Sequence, residues 1–118
     1  MVVELKKKKG SINMDPVNKF LKKNHHVYSN TDIPAPTKRV VCKDGFSVSI
    51  QANRYSYCNP IKDKAWPYTK VELGYPNELD NLVEDYAEDA GSPDTVYGFV
   101  PIDIVNELIK KHGGIVNE

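Results

Sequence analysis

The chain has 118 residues, of which 40% are hydrophobic and 27% are charged, a balance typical of a single globular domain with a modest core of its own. No apolar run is long enough to cross a bilayer, and the opening MVVELKKKKG lacks the hydrophobic region of a secretory signal, so we expect a cytoplasmic protein without membrane contact. Two cysteines, Cys42 and Cys58, do not make a disulfide framework, which agrees with a reducing compartment.

The formal net charge is zero, but the charges are divided between the two parts of the chain. Residues 1–70 contain 14 Lys and Arg against 5 Asp and Glu, a net charge of +9, whereas residues 71–118 contain 2 against 11, a net charge of −9. The two parts could neutralise each other within one fold, one copy could dock on another, or the basic part could meet an anion. We expect a homo-oligomer.

The N-terminal part begins with a basic lead-in, residues 1–13, which includes four consecutive lysines. An amphipathic helix is predicted over 14–24, because Asp15 can cap its first turn and Pro16 suits the first helical position. Its apolar residues fall on one face at helical spacing: Val17, Phe20 and Leu21. A connector follows, in which two prolines favour extended backbone.

Residues 37–115 contain the predicted α+β core, which opens with a hairpin. The segments RVVCK and FSVSIQA flank Asp44-Gly45, a dipeptide typical of a tight turn in which both central residues have positive φ. Alternation in the second arm predicts that one face carries Phe46, Val48 and Ile50 and the other carries Ser47, Ser49 and Gln51.

The rest of the core alternates strands and helices after one unusual loop. Strands are predicted at TKVELGYP and TVYGFV, and helices over 77–91 (NELDNLVEDYAEDAG) and 101–114 (PIDIVNELIKKHGG). Residues 53–68, NRYSYCNPIKDKAWPY, form an aromatic loop that is rich in rings, cations and proline. We therefore predict an α+β fold with a small, mostly antiparallel sheet of about three to five strands and helices packed on one face.

Residue types that serve in metal sites or in catalysis occur without the spacing that such sites need. Zinc ligands usually include close pairs, whereas no histidine or cysteine here has a partner two residues away, so we predict no metal site and no cofactor. Cys58 and His112 would be a candidate nucleophile and base, but no motif brings them together and no glycine-rich phosphate loop is present. We therefore predict that the protein is not an enzyme.

The aromatic loop is the strongest candidate for a binding surface. A flat ring can stack on a nucleobase and a cation can meet a phosphate, which favours a small anionic nucleotide-type ligand or a short single strand over stable binding of duplex DNA. The cations would contact the phosphate of the ligand, the rings would stack on its base, and Asn59 would hydrogen-bond to a polar edge of the ligand. The predicted ligand-binding residues are Arg54, Tyr55, Tyr57, Asn59, Trp66 and Tyr68, supported by Lys38 and Arg39. The alternative interpretation is that these rings only fill gaps at the edge of the sheet.

The acidic part of the chain supports a second binding hypothesis. A helix over 77–91 with many carboxylates could imitate a phosphate backbone and occupy a nucleic-acid channel on another protein. Its acidic residues are Glu78, Asp80, Glu84, Asp85, Glu88 and Asp89. The alternative is that these carboxylates are simply the solvated face of the helix.

Four segments, CKDGFSVSIQA, YCNP, VELGYP and VYGFVPIDIVNELIKKHGG, resemble a family of small uncharacterised proteins encoded by bacterial viruses and prophages. The resemblance covers roughly residues 37–115, and it implies a viral accessory protein that acts in the host cytoplasm against a defence system. It implies no catalytic residues. We therefore expect a sponge-like protein that counters host immunity by sequestering an anionic nucleotide-type signal. The alternative is a protein that inhibits a defence nuclease, such as a CRISPR effector, through the acidic helix.

Overall fold

The computed structural model describes residues 14–118, so the predicted basic lead-in 1–13 lies outside the described residues. The elements are, in chain order, α1 (Pro16–Lys23), β1 (Val40–Val41), β2 (Ser47–Gln51), β3 (Lys70–Gly74), a 3-10 turn (Glu84–Tyr86), β4 (Val96–Pro101) and α2 (Ile102–Lys111). The four strands form one antiparallel sheet in the order β1-β2-β3-β4. The predicted α+β fold with a small antiparallel sheet is confirmed.

The hydrophobic core lies between one face of the sheet and both helices. Alternate side chains of β2 and β3 are buried, as the period of a strand requires: Val48, Ile50, Val71 and Leu73. The apolar faces of α1 and α2 complete the same cluster with Val17, Phe20, Leu21, Val105, Leu108 and Ile109. Both helices therefore cover one face of the sheet, as predicted. The opposite face carries the partly exposed polar residues Ser49, Gln51 and Glu72.

Helix α1 begins where the sequence predicts. Asp15 Oδ1 accepts a hydrogen bond from the Asn18 N–H at 2.9 Å, and Pro16 occupies the first turn. The fully buried side chain of Asn18 then reaches the aromatic loop: its Nδ2 donates to the Tyr68 carbonyl oxygen at 3.0 Å, and its Oδ1 accepts from the Tyr68 N–H at 2.7 Å. One asparagine thus fixes the end of the aromatic loop to α1, a contact that apolar periodicity does not reveal.

Asn18→Ala is expected to lower the free energy of unfolding by about 2 kcal/mol, because it leaves the buried N–H and C=O of Tyr68 without partners. Chemical denaturation followed by circular dichroism measures this change. Asn81→Ala, at an exposed position, is the matched control and should change the free energy of unfolding by less than about 0.5 kcal/mol. Equal effects of the two substitutions would contradict the importance of the Asn18 contact.

The hairpin forms, but its turn differs from the predicted one. Of the turn residues only Gly45 has a positive φ, of 94°. The Cys42 N–H donates to the Phe46 carbonyl oxygen at 2.8 Å and the Gly45 N–H donates to the Cys42 carbonyl oxygen at 3.0 Å, which makes a three-residue loop closed by a left-handed glycine. Asp44 keeps a negative φ, and its side chain accepts a hydrogen bond from the Phe46 N–H at 2.9 Å. The expectation that both residues of the dipeptide have positive φ was wrong.

The predicted helix over 77–91 was also wrong, since only Glu84–Tyr86 forms a 3-10 turn there. The segment has a few short-range hydrogen bonds of its own, such as Tyr86 N–H to the Val83 carbonyl oxygen at 2.9 Å, but several of its groups bond to other elements. Asn77 exchanges hydrogen bonds of 3.0 Å with Ser47, and the Glu88 N–H donates to the Val96 carbonyl oxygen at 2.9 Å. We call residues 78–94 the acidic segment. The acidic helix that the nuclease-inhibitor hypothesis required does not form.

A group of charged side chains joins the acidic segment to the hairpin and to the end of α2. The imidazole of His112 lies between two carboxylates: Nδ1 is 2.7 Å from Asp44 Oδ2, and Nε2 is 2.8 Å from Asp80 Oδ2. Asp80 also pairs with Lys111 at 3.0 Å, and the Phe46 ring stacks on the imidazole with 4.0 Å between ring centroids. We call this group the His112 cluster.

Burial acts to lower the pKa of His112, but the hydrogen bonds and charges of Asp44 and Asp80 outweigh it, so that this pKa lies above 6.5. Burial acts to raise the pKa of Asp80, yet the Leu82 N–H, His112 and Lys111 hold it below 3.8. Both directions favour a charged pair at neutral pH. The His112 cluster is therefore an ionic contact. It anchors the acidic segment, which does not form the predicted helix.

Candidate ligand-binding groove

A groove with a volume of about 410 Å³ runs over the face of the sheet that the helices leave uncovered. Its floor is made by the outward-facing residues of three strands, Ser49, Gln51, Glu72 and Val96. One wall comes from the connector before β1, and the other comes from the start of the aromatic loop and from the residue that follows β3. The groove therefore brings together three segments that are far apart in the sequence.

The connector wall is a short turn that doubles back on itself. The Tyr28 N–H donates to the Ile33 carbonyl oxygen at 3.0 Å, and Asn30 takes the left-handed conformation that the reversal needs, with a φ of 61°. The Gln51 side chain holds this segment to β2, because it bonds both the N–H and the carbonyl oxygen of Thr37 at 2.8 Å. The groove wall is thus anchored by an amide side chain that points away from the core.

The aromatic loop wall is anchored to β3 and β4. The Tyr57 N–H donates to Glu72 Oε1 at 2.8 Å, and the Asn53 side chain accepts from the Tyr55 N–H at 2.7 Å. The Tyr57 side chain lies directly on Gly98, where an added Cβ would be only 3.3 Å from the tyrosine Cβ. A side chain at position 98 would make Tyr57 shift by a few tenths of an ångström, so a glycine in β4 suits this close approach of the loop.

Exposed aromatic rings concentrate at the groove. Tyr28, Tyr55 and Tyr75 line it and are 53%, 67% and 51% exposed. A further pair, Tyr57 and Phe99, lies next to it with 5.8 Å between ring centroids. Tyr75 and Phe99 both have positive φ, at 50° and 52°, which is uncommon for bulky residues and is often found at functional sites. The rings are thus held at the surface by the backbone and by the loop contacts.

Charge at the groove is sparse and separated. Among its lining residues only Glu72 carries a charge, and its second carboxylate oxygen has no hydrogen bond within residues 14–118. The Arg54 guanidinium lies at the rim, 5.2 Å from the centroid of the Tyr55 ring, and it pairs with Asp32 at 3.4 Å and Asp63 at 3.5 Å. Because the Asp32 side chain is 89% exposed, water competes strongly for that pair.

A larger cavity of about 610 Å³ lies between the start of α1 and the end of α2. Its lining has no aromatic ring, and its one amide side chain, Asn106, already bonds to Asp15 and to the Val17 N–H. A ring-bearing ligand would find neither a stacking surface nor a free amide there. The smaller groove is the better candidate because of its chemistry.

The structure brings part of the predicted site together and separates the rest. Arg54 and Tyr55 lie at the groove, and Tyr57 lies beside it. Arg39 reaches the end of the groove, where its guanidinium donates to the Tyr75 carbonyl oxygen and, at 2.9 Å, to the Ser47 hydroxyl.

The other predicted residues do not line the groove. The prediction for Tyr68 was wrong: its ring belongs to the hydrophobic core and is 1% exposed, and its hydroxyl donates to the Lys62 carbonyl oxygen inside the loop. Trp66 is half-buried with its ring 5.5 Å from that of His25, and Asn59 Nδ2 donates to the Thr69 hydroxyl. Lys38 lies over the Phe20 ring at 5.8 Å on the helical side of the molecule. For Tyr68 and Trp66 the packing interpretation therefore holds.

Among the groove residues that sequence reasoning missed are Tyr28, Tyr75, Ser49 and Glu72. The signal for two of them was present, since alternation places Ser49 and Glu72 on the strand faces opposite the core. Nothing local marks Tyr28 or Tyr75, which reach the groove only through tertiary structure.

The two residues considered for catalysis, Cys58 and His112, are buried or occupied. Cys58 is fully buried, and this burial is the main reason that the pKa of its thiol is raised. Both ring nitrogens of His112 are engaged by carboxylates, so neither is free to act as a base. Across residues 14–118, no group of three or more metal-ligating side chains could hold an ion. No helix in the same range has both the length and the apolar character to span a membrane.

Comparisons with family models, with curated proteins and with solved structures found no match to this chain. The resemblance to small viral proteins stays a prediction, and the groove is interpreted from its own chemistry.

Proposed function

We propose that the protein is a non-catalytic binding protein that holds a nucleotide-type ligand in the groove. The observation that supports this most directly is the convergence of three exposed tyrosines on a polar floor, with Arg54 at the rim. Rings with exposed faces suit a nucleobase, since every base has a flat surface that can stack. A floor with few but well-placed polar groups suits the orientation of one small ligand.

The charges favour one orientation of such a ligand. Glu72 can accept hydrogen bonds from base N–H groups or ribose hydroxyls, and the Ser49 hydroxyl can donate or accept. A phosphate over the floor would be repelled by Glu72, whereas at the rim it would meet the guanidinium of Arg54. The base and ribose therefore lie on the floor, and the phosphate lies at the rim.

Arg54 is suited to exchange one of its carboxylate partners for a phosphate. Partial desolvation acts to lower the pKa of its guanidinium, but the hydrogen bond to Asp32 and the nearby carboxylates raise it, so the group stays charged. Replacing the solvated carboxylate of Asp32 by a phosphate would keep the cation paired and add a bidentate contact. The pair with Asp63 would hold the side chain in place meanwhile.

The biological setting of the proposal rests on the resemblance of CKDGFSVSIQA, YCNP and VYGFVP to small viral proteins. In the host cytoplasm such a protein would lower the free concentration of a nucleotide immune signal by stoichiometric capture. Capture without turnover requires that the protein be at least as abundant as the signal and that the dissociation constant lie below the signal concentration.

Calorimetric titration with a panel of defined compounds tests the proposal. We expect mononucleotides or cyclic dinucleotides to bind, the corresponding nucleosides to bind roughly ten- to a hundredfold more weakly, and inorganic pyrophosphate not to bind. Tyrosine fluorescence should change on binding if a base stacks at the groove. Equal affinity for nucleotide and pyrophosphate, or no binding by any compound of the panel, would contradict the proposed function.

A further inference from the structure

Within residues 14–118, ion pairs do little to join the basic part of the chain to its acidic part. In the part of the chain that the structure describes, the pairs are Arg54 with Asp32 and Asp63, and Lys111 and His112 with Asp80 and Asp44. Only the contact between His112 and Asp44 joins the basic part, residues 1–70, to the acidic part, residues 71–118. Most of the opposite charge of the described residues is therefore left outside ion pairs between the two parts.

On the basic side, α1 presents Lys19, Lys22 and Lys23, all exposed. Their spacing of three and four residues places them on one stripe of the helix, which we call the α1 lysine face. No salt bridge joins any of them to a carboxylate within residues 14–118. They surround a cavity of about 500 Å³ whose lining also includes Met14, the buried Phe20 and one acidic residue, Glu118. A largely cationic surface around this depression is thus left open.

On the acidic side, the acidic segment has no cation of its own. The chain contains no Lys, Arg or His between residues 71 and 109, and the exposed carboxylates of the segment are Glu78, Asp85, Glu88, Asp89 and Asp94. Leu79 lies among them and is 48% exposed. The segment packs against β4 through its 3-10 turn and is joined to the end of α2 by Asp80, whereas α1 packs against α2 at Asn106. The two surfaces thus lie on different elements of the fold.

We propose that copies of this chain dock head to tail, with the α1 lysine face of one copy against the acidic segment of the next. The charges are complementary, and Leu79 is the exposed apolar side chain that fits the depression beside Phe20. The contact joins two different surfaces, so it is heterologous and leaves a free α1 lysine face at one end and a free acidic segment at the other. Assemblies larger than dimers follow from this geometry. The inference does not depend on what the groove binds.

Charge reversal with complementation tests the docking. Wild type at about 50 mM salt should sediment as species heavier than 13.3 kDa, and at about 500 mM salt it should approach the monomer. Lys19→Glu, Lys22→Glu and Lys23→Glu combined should give a monomer, and so should Asp85→Lys, Glu88→Lys and Asp89→Lys combined. An equimolar mixture of the two triple variants should associate again, in assemblies that contain equal numbers of the two variants, because the reversed surfaces match each other and so do the two unchanged surfaces.

A matched control reverses the same number of lysines elsewhere, at the exposed positions Lys62, Lys64 and Lys70, and should still associate. Circular dichroism checks that each variant is folded. If one triple variant unfolds, the other still tests the docking on its own, because it should be a monomer. Monomeric wild type at low salt would overturn the docking. Association that survives both reversals, or folded variants that fail to combine in the mixture, would overturn it as well.

Discussion

Asp80→Ala is expected to lower the free energy of unfolding by about 3 kcal/mol below neutral pH. The substitution removes a buried carboxylate that pairs with His112 and with Lys111, and it leaves the imidazolium with only the half-exposed Asp44 as a partner. It also removes the acceptor of the Leu82 N–H. Since Asp80 fixes the acidic segment to α2, the loss should appear as a lower midpoint of denaturation, with the transition still cooperative.

Glu78→Ala is the matched control for this prediction. Glu78 has the same charge and lies two residues away in the same segment, but it is exposed and has no salt bridge within residues 14–118. Its replacement should change the free energy of unfolding by less than about 0.5 kcal/mol. Denaturant titrations of both variants measure the difference. A loss as small for Asp80 as for Glu78 would mean that the His112 cluster contributes little to stability.

The same cluster gives the wild type a defined pH dependence. The pKa of His112 is raised above 6.5 in the fold, so its contribution is fully present below pH 6.5 and is lost as the pH rises through the folded value. The pKa values of Asp44 and Asp80 are lowered below 3.8, so their contributions are present above pH 3.8 and are lost as the pH falls through the folded values. The cluster is strongest between these limits. In Asp80→Ala, an NMR titration should show a lower pKa for His112.

Local sequence signals predicted much of the fold, because several elements are determined by nearby residues. Asp15 and Pro16 start α1, and Gly113 and Gly114, with φ of 95° and 91°, end α2 as their positions indicate. Strands β2 and β3 follow from alternation, whereas in β4 the buried residues Tyr97 and Val100 are three positions apart. The segment 77–91 has apolar residues at helical spacing, but Asn77 and Asp80 bond to the hairpin and to α2. Such tertiary contacts override a short helical pattern and cannot be seen in one sequence.

The candidate site was predicted only in part, again because tertiary contacts cannot be seen in one sequence. Rings and cations marked the aromatic loop, and two of the predicted residues, Arg54 and Tyr55, do lie at the groove. Composition cannot tell which rings of a loop point inward, so the core residue Tyr68 was grouped with the exposed Tyr55. Tyr28 and Tyr75 come from separate segments, and only the pairing of β2 with β3 and the return of the connector bring them to the same groove.

Tyr55→Ala is expected to weaken nucleotide binding by about 1–3 kcal/mol, which is roughly five- to 150-fold in the dissociation constant. The ring is 67% exposed, so its removal should leave the free energy of unfolding almost unchanged. Arg54→Ala should weaken binding of the nucleotide roughly tenfold or more, and binding of the nucleoside hardly at all, because only the nucleotide has a phosphate at the rim. Ile61→Ala and Lys64→Ala, exposed positions in the same loop outside the groove lining, are the controls.

Glu72→Gln tests the proposed orientation through the sign of its effect. The amide oxygen of glutamine can still accept from the Tyr57 N–H, so the loop contact is kept while the charge on the floor is removed. If the base and ribose lie on the floor and donate to Glu72, calorimetry should show weaker binding in the variant. If the phosphate lies over the floor, loss of the negative charge should strengthen binding instead, and the effect should shrink at high salt. Stronger binding in Glu72→Gln, together with an unaffected Arg54→Ala variant, would reverse the orientation and assign the phosphate to the sheet.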